Sequence, residues 1–291
     1  MKLILFRAAY NLPVTLGLER GVFARHGLDP VIDWTAGSRM TIDALVRGER
    51  DAGVLAADDV VYANTRESAG LALIMGLNTG ILVLMARRGI ACAADLRGGR
   101  LGVDDPASGF ALVAHRILAG LGLGPEEYRT VPSGGHEPRA RALSDGRIDA
   151  ALLTPPFSLA LAAAGLPVLA RARDHLPRYL GSCLVATRSR APRDQAALAA
   201  FRRAYLESLD WSLAPAHRQA AVDHLAREFA LEPELAGATW DALADPADGL
   251  LRDARIDLAG LRAVIELRLK AGLMAAPGPE PAAFCDPGFL E

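Results

Sequence analysis

The sequence predicts an α/β protein of two similar Rossmann-like lobes joined by a two-strand hinge. Three observations predict it. First, one frame, A-L-x-x-G-x-x-D-A, is spelled twice, at Ala44–Ala52 and at Ala142–Ala150. Second, the flanks agree: Gly37-Ser38 precedes the first copy at the offset at which Gly135-His136 precedes the second, and "GLDP" from Gly27 is echoed by "GLGP" from Gly122. Third, strand and helix patterns alternate through both halves, and such alternation builds parallel sheets covered by helices. A chain of 291 residues also exceeds the usual size of a single compact domain.

Each element has its own reason. "KLILF" (Lys2–Phe6) reads as the first strand. Ile42, Leu45 and Val46, at i, i+3 and i+4, give one helix an apolar face, and Gly48 stands where a left-handed residue ends it. "AGVLA" (Ala52–Ala56) is then a short buried strand, and "LALIM" (Leu71–Met75) closes the first unit. "ILVLMARR" (Ile81–Arg88) leads across to the second, which opens with the strand "RLGV" (Arg100–Val103). Phe110, Val113, Ala114, Ile117, Leu118 and Leu121 form the apolar stripe of its first helix. Gly146 is the second stop, "IDAALLT" (Ile148–Thr154) the strand after it, and "LPVLA" (Leu166–Ala170) the last strand of the unit. "GSCLVATR" (Gly181–Arg188) reads as a returning strand ahead of a helical third section. The expected division is 1–84 for lobe one, 85–184 for lobe two, and 185–291 for a return to lobe one.

Composition narrows the partners. Apolar residues make up 51% and charged residues 23%, with a net charge of −2. Lys and Arg are scattered without an aromatic-interleaved basic stripe, which argues against nucleic acid. Cys92, Cys183 and Cys285 are odd in number and far apart, so neither a disulfide framework nor a clustered metal site is expected. The apolar run "LILF" ends at Arg7, too short for a secretory leader. "LALAAAGLPVLA" (Leu159–Ala170) falls short of a membrane span. As the sequence stands the expectation is a cytoplasmic protein, or a periplasmic one if a leader has been trimmed.

Several stretches carry a family resemblance across nearly the whole chain. "LGLERGVFARHGLDPVI" resembles a helix in which a G-x-F element is followed by GL-D and a strand. "ADLRGGRLGV" is similar to a DL-x-G-x-x-x-G-V opening of a second lobe, "GRIDAALLTPPF" to a G-x-x-D-A strand with a Pro-containing loop, and "LKAGLM" with "CDPGFLE" to a closing helix and D-x-x-F-L tail. Together they resemble the NMT1/THI5-like solute-binding proteins of nitrate, sulfonate and taurine type transport systems. That resemblance implies the type II periplasmic binding protein fold, a small-molecule ligand, an ABC permease as partner and no cofactor or metal. A receptor serving a permease is expected to be a monomer. The thiamine-pyrimidine synthase branch carries a CCCFC motif, and no paired cysteines occur here, so that activity is excluded. Cytoplasmic enzymes of the same fold, of menaquinone-pathway type, remain the alternative.

Ligands of parallel α/β sheets bind beyond the carboxyl ends of the strands. In lobe one that rule selects Tyr10, Asn11, Gly37, Ser38, Ala57, Asp58, Asn78 and Thr79; in lobe two, Ser108, Gly109, Phe110, Gly135, His136, Thr154 and Pro155. Ser38 and Ser108 are placed to cap helices whose free N–H groups suit an anion. Arg39 offers an anion fork, with a solvated surface arginine the favoured reading. Tyr10 and Phe110 suit a planar ligand that Asn11 would orient, although Phe110 also fits the core face of its helix. Asp58 and Asp59 suit a ligand amine, with a helix cap favoured for Asp58. His136 is the leading general-base candidate and Asp58 the second under the enzyme alternative, though a plain binding-site or surface histidine is favoured for His136. His217 and His224 share a helical face without a third ligand and read as surface. The favoured function is a receptor that closes two lobes over a small anionic or planar molecule; the alternative is proton transfer or elimination on a small anionic metabolite.

Overall fold

The structure, a computed structural model, describes residues 1–290; Glu291, the last residue of the expected third section, and the side chains of 191–193 lie outside that description. The first unit runs β1 (Lys2–Leu5), α1 (Leu12–Glu19), α2 (Val22–Arg25), β2 (Val31–Trp34), α3 (Ser38–Val46), β3 (Ala52–Ala56), α4 (Ala57–Glu67) and β4 (Leu71–Gly76). After β5 (Val83–Ala86) the second repeats the plan: β6 (Arg100–Val103), α5 (Gly109–Gly120), β7 (Arg129–Pro132), α6 (His136–Ser144), β8 (Ala150–Leu153), α7 (Phe157–Ala163), β9 (Val168–Arg171) and α8 (Ala172–His175). There follow β10 (Ser182–Thr187) and the helices α9 (Ala191–Leu213), α10 (Arg218–Phe229), α11 (Pro233–Ala244) and α12 (Leu258–Lys270).

The repeated frame folds the same way twice. α3 and α6 end shortly before Gly48 and Gly146, each with φ of +70°, the left-handed conformation that glycine adopts without a Cβ penalty. Each chain then turns straight into a strand buried along its whole length, β3 or β8.

Among the described residues the strands form two five-stranded sheets, ordered β2-β1-β3-β10-β4 and β7-β6-β8-β5-β9. The expectation of parallel sheets needs correction here. β5 runs antiparallel to β8 and β9, and β10 antiparallel to β3 and β4. The reason is directional. β4 ends at the carboxyl edge of its sheet, so a chain crossing from there enters the other sheet at its carboxyl edge and must run the opposite way. β9 and β10 repeat this on the return. The expected divisions at 84/85 and 184/185 therefore fall inside β5 and β10, and the chain crosses at 77–82 and again between β9 and β10.

The two crossings are bonded to each other. Asn78 Oδ1 accepts hydrogen bonds from the backbone of Gly80 (2.8 Å) and Ser182 (3.1 Å), and Gly181 N–H donates to the Asn78 carbonyl (3.0 Å). α9 and α10 pack around α1 on lobe one, α11 packs on α10 and reaches α7 of lobe two, and α12 lies against both α4 and α5, so α11 and α12 each touch both lobes. One apolar cluster accordingly runs through both lobes, including Val60 and Val61 of α4, Ala111 and Leu112 of α5, and Val264 of α12. No described helix is long and apolar enough to cross a membrane.

The surface reading of His224 does not hold. It is 7% exposed, with Nδ1 2.6 Å from Glu19 Oε2 and Nε2 3.2 Å from Glu228 Oε2. α10 packs on α1 at His224, whereas His217 lies in the turn ahead of α10 and stacks on Trp211 with centroids 4.1 Å apart.

Candidate functional site

The carboxyl edges of both sheets face one cleft, and the residues there enclose a cavity. Phe6 and Tyr10 follow β1, Leu55 and Ala56 end β3, and Asp59 lies in the first turn of α4. Lobe two adds Asp104 after β6, Ser108 and Phe110 at the start of α5, and His136 and Arg139 in the first turn of α6; Ser182 opens β10. The walls stand close together, and the cavity of about 10 Å³ has room for about one water. Three aromatic rings, Phe110, Phe6 and Tyr10, surround His136 at centroid distances of 6.0, 6.4 and 6.5 Å.

The lobes meet through hydrogen bonds. Ser38 donates its hydroxyl to Asp104 Oδ2 (3.0 Å), and Gly109 donates its N–H to Asp59 Oδ1 (2.8 Å). Arg268 of α12 is 2% exposed, holds both oxygens of Asp58 through Nε and Nη2, and reaches the Ala107 carbonyl of lobe two (3.2 Å). Gly109 is packed so tightly on Asp58 that a Cβ there would lie 2.5 Å from the Asp58 Cβ. Only a residue without a side chain lets the lobes come this close.

The electrostatics follow from burial and pairing. Asp104 accepts from Ser108 Oγ (2.7 Å) and Arg139 Nη1 (3.3 Å). Burial pushes its carboxyl up, but Arg139 and the two serine hydroxyls outweigh that and leave it lowered. Asp59 goes the other way: burial and then the charge of Asp104 push it well up. Burial, and then the neighbouring Arg139, bring His136 down to about 3, so the ring is neutral at physiological pH. Arg139 Nη2 lies 3.2 Å from its Nδ1, which makes that nitrogen the acceptor and leaves the proton on Nε2. So weak a base is poorly matched to proton abstraction near neutrality. Asp58, the other candidate base, is fully buried against Arg268 and lines no part of the cavity.

Comparison with known proteins places this geometry. The family model described as "NMT1/THI5 like" matches residues 8–218, more than two thirds of the chain. The chain belongs to the NMT1/THI5-like family. No curated protein matches it in sequence. Among solved structures it is similar to the periplasmic nitrate-binding protein NrtA from Synechocystis PCC 6803 (TM-score 0.82, 13% identity, 99% of this chain and 86% of that one). It is also similar to the alkanesulfonate-binding protein SsuA from Xanthomonas axonopodis pv. citri bound to MOPS (0.79, 17%, 97% and 96%). A ligand-binding component of an ABC-type import system from Staphylococcus aureus, with zinc bound, matches as well (0.79, 15%, 100% and 97%). The fold of this NMT1/THI5-like chain is the type II periplasmic binding protein architecture.

Of the residues selected from the sequence, Tyr10, Ser108, Phe110 and His136 line the cavity. Ser38 lines the neighbouring pocket with Arg39, Ile42, Asp59, Tyr62, Asp105 and Ala107. Ser38 is not a cap: Gly37 holds the cap position of α3, which frees the Ser38 hydroxyl to cross to Asp104. Ser108 both caps α5, accepting from Ala111 N–H (3.2 Å), and lines the cavity. The cap reading of Asp58 also fails, because β3 runs directly into α4 and Ala56 takes the cap position. Ala57 is spent on a backbone bond to Gly181, and Arg39 on ion pairs with Asp43 and Glu67. Asn11 donates to the Phe6 carbonyl (2.7 Å), Thr79 to Asp248 (3.1 Å), and Asn78 ties the crossings; none of the three reaches the cavity. Gly135 caps α6 beside Phe6, while Thr154 and Pro155 are buried at the end of β8, outside the cavity lining.

Asp59, named only beside Asp58, and Phe6, Asp104, Arg139 and Ser182 were not selected. Phe6 and Asp104 each directly follow the first strand of a lobe, so the strand-end rule applied one residue earlier finds both. Ser182 is hidden from that rule because it begins an antiparallel strand, whose amino end lies at the carboxyl edge of its sheet. Arg139 lies one turn inside α6, beyond the loop residues the rule inspects.

Proposed function

We propose that this chain is the receptor component of an uptake system, closing its two lobes over one small molecule and handing it to a membrane permease. The observation that carries the reading is the cavity itself. Side chains from both lobes and from the returning strand β10 converge on it, and the lobes can part only by bending at the crossings 77–82 and the stretch between β9 and β10. A site divided in this way opens to admit ligand and buries it on closing. The aromatic walls suit a flat or apolar ligand body, and the buried polar groups suit its orientation. NrtA and SsuA, described as nitrate- and alkanesulfonate-binding proteins, support a binding role on this scaffold, as does the ABC-import component from Staphylococcus aureus. In this role the protein works as a single copy on the side of the membrane from which ligand is taken up.

The test is thermal unfolding against a panel of small solutes, with each hit recovered and weighed by mass spectrometry. A ligand at about 100 times its dissociation constant adds roughly 2.7 kcal/mol if it binds only the folded state. A stabilising solute recovered at its original mass is the expected result. Conversion to a new mass overturns the receptor reading.

A further inference from the structure

Three buried carboxylates and two buried arginines meet at the cleft, and their pairing is uneven. Arg268 is spent on Asp58, and Arg139 on Asp104. His136 brings no charge. Asp59 is 5% exposed, and its one hydrogen bond is from Gly109 N–H to Oδ1; Oδ2 has no donor among the described residues. Asp59 also stands between the closed cavity and the neighbouring pocket that Tyr62 and Asp105 line, and it borders both.

Two of the helix N-termini at the cleft are meanwhile filled from within the chain. The N–H and hydroxyl of Ser38 at the start of α3 go to Asp104 Oδ2, and the N–H of Gly109 at the start of α5 goes to Asp59 Oδ1. Helix N-termini are the usual seats of carboxylate, sulfonate and phosphate groups. Here two of them already hold carboxylates.

We infer that the ligand is a small organic cation, an ammonium or amidinium on a flat apolar body, whose charged group meets Oδ2 of Asp59. The inference rests on the receptor reading and names the ligand class of that same site. Each buried charge then has one partner: Asp58 with Arg268, Asp104 with Arg139, Asp59 with the ligand. A monoanion would instead join two carboxylates in a closed site with no free cation among the described residues to meet it. Phe6, Tyr10 and Phe110 line the cavity, and aromatic rings are favourable neighbours for an organic cation. Arg139 Nε, buried and without a partner, offers one hydrogen bond to an acceptor atom on the ligand. The upward push on Asp59 agrees with this, since burial beside Asp104 disfavours its ionised form and a cation at Oδ2 favours it.

The experiment uses matched aromatic probes with the full chain: benzamidine and benzylamine as cations, benzamide as the neutral control, benzoate and benzenesulfonate as anions. At about 10 mM each, only the cations raise the unfolding temperature. The Asp59→Asn variant still unfolds cooperatively but binds the better cation roughly 30-fold or more weakly by calorimetry. Stabilisation by an anion in place of the cations, equal cation binding by the variant, or no shift with either cation overturns the charge assignment. Probes recovered chemically altered would instead count against the receptor reading, so the two failures are distinguishable.

Discussion

His224 shows how one side chain can tie stability to pH. Its Nε2 meets Thr15 Oγ1 (2.9 Å) and Glu228, while Nδ1 faces Glu19, which Arg227 also pairs at 2.8 Å. Thr15 donates its own proton to Glu228, so both ring nitrogens face acceptors and the ring holds two protons. Burial pulls its pKa down, but Glu228 and Glu19 outweigh that and leave it raised. A raised folded-state pKa contributes stability that is complete below the unfolded value, about 6.5, and lost as pH climbs through the folded value. Urea midpoints of the wild-type protein should therefore fall as pH climbs above about 6.5 through the raised folded-state value, and that fall should shrink in His224→Gln. A variant with an unchanged slope would place the titrating group elsewhere. The sequence gives no warning of this cluster, because Glu19 and Glu228 come from helices that only the packing of α10 on α1 brings together.

At the scale of elements, most of the plan was legible. The frame ending in Gly48 and Gly146, the strand "AGVLA" and the stripe from Phe110 to Leu121 each form from local chemistry, and local chemistry is what a single sequence carries. The starts of α3 and α4 were misread by one or two residues. That small error matters at the site, since it turned Ser38 and Asp58 into caps when one bridges the lobes and the other clamps a helix. Asp58 holds α12 to α4, with the Arg268 guanidinium also 4.9 Å from the centre of the Tyr62 ring. Asp58→Asn leaves that buried guanidinium without its counter-charge and should cost about 3–5 kcal/mol in equilibrium unfolding. Its neighbour behaves oppositely: Asp59→Asn removes a buried acid that has no cation and should leave stability equal or higher. Equal losses from the two variants would contradict this division of roles.

For the whole molecule, closure depends on how near the lobes can approach. A methyl group in place of the Gly109 hydrogen would strike Asp58, and the two residues come from opposite lobes. Gly109→Ala should leave each lobe folded but hold the cleft ajar, giving a larger radius of gyration in X-ray scattering and weaker ligand binding. Compaction equal to that of the wild type would show that the contact does not limit closure. The direction of β5 and β10 was the one global feature hidden from the sequence, since both read as ordinary apolar strands and only the crossing geometry sets which way they run.

That exchange of strands has a consequence for how the protein is made. The second sheet is contiguous, from β5 at Val83 to β9 at Arg171, and has all its strands once that stretch has been synthesised. The first sheet is not. β3 and β4 flank a vacant lane until β10 is threaded between them, more than a hundred residues after β4 begins the wait. On the ribosome, the lobe that is translated first is thus the lobe completed last.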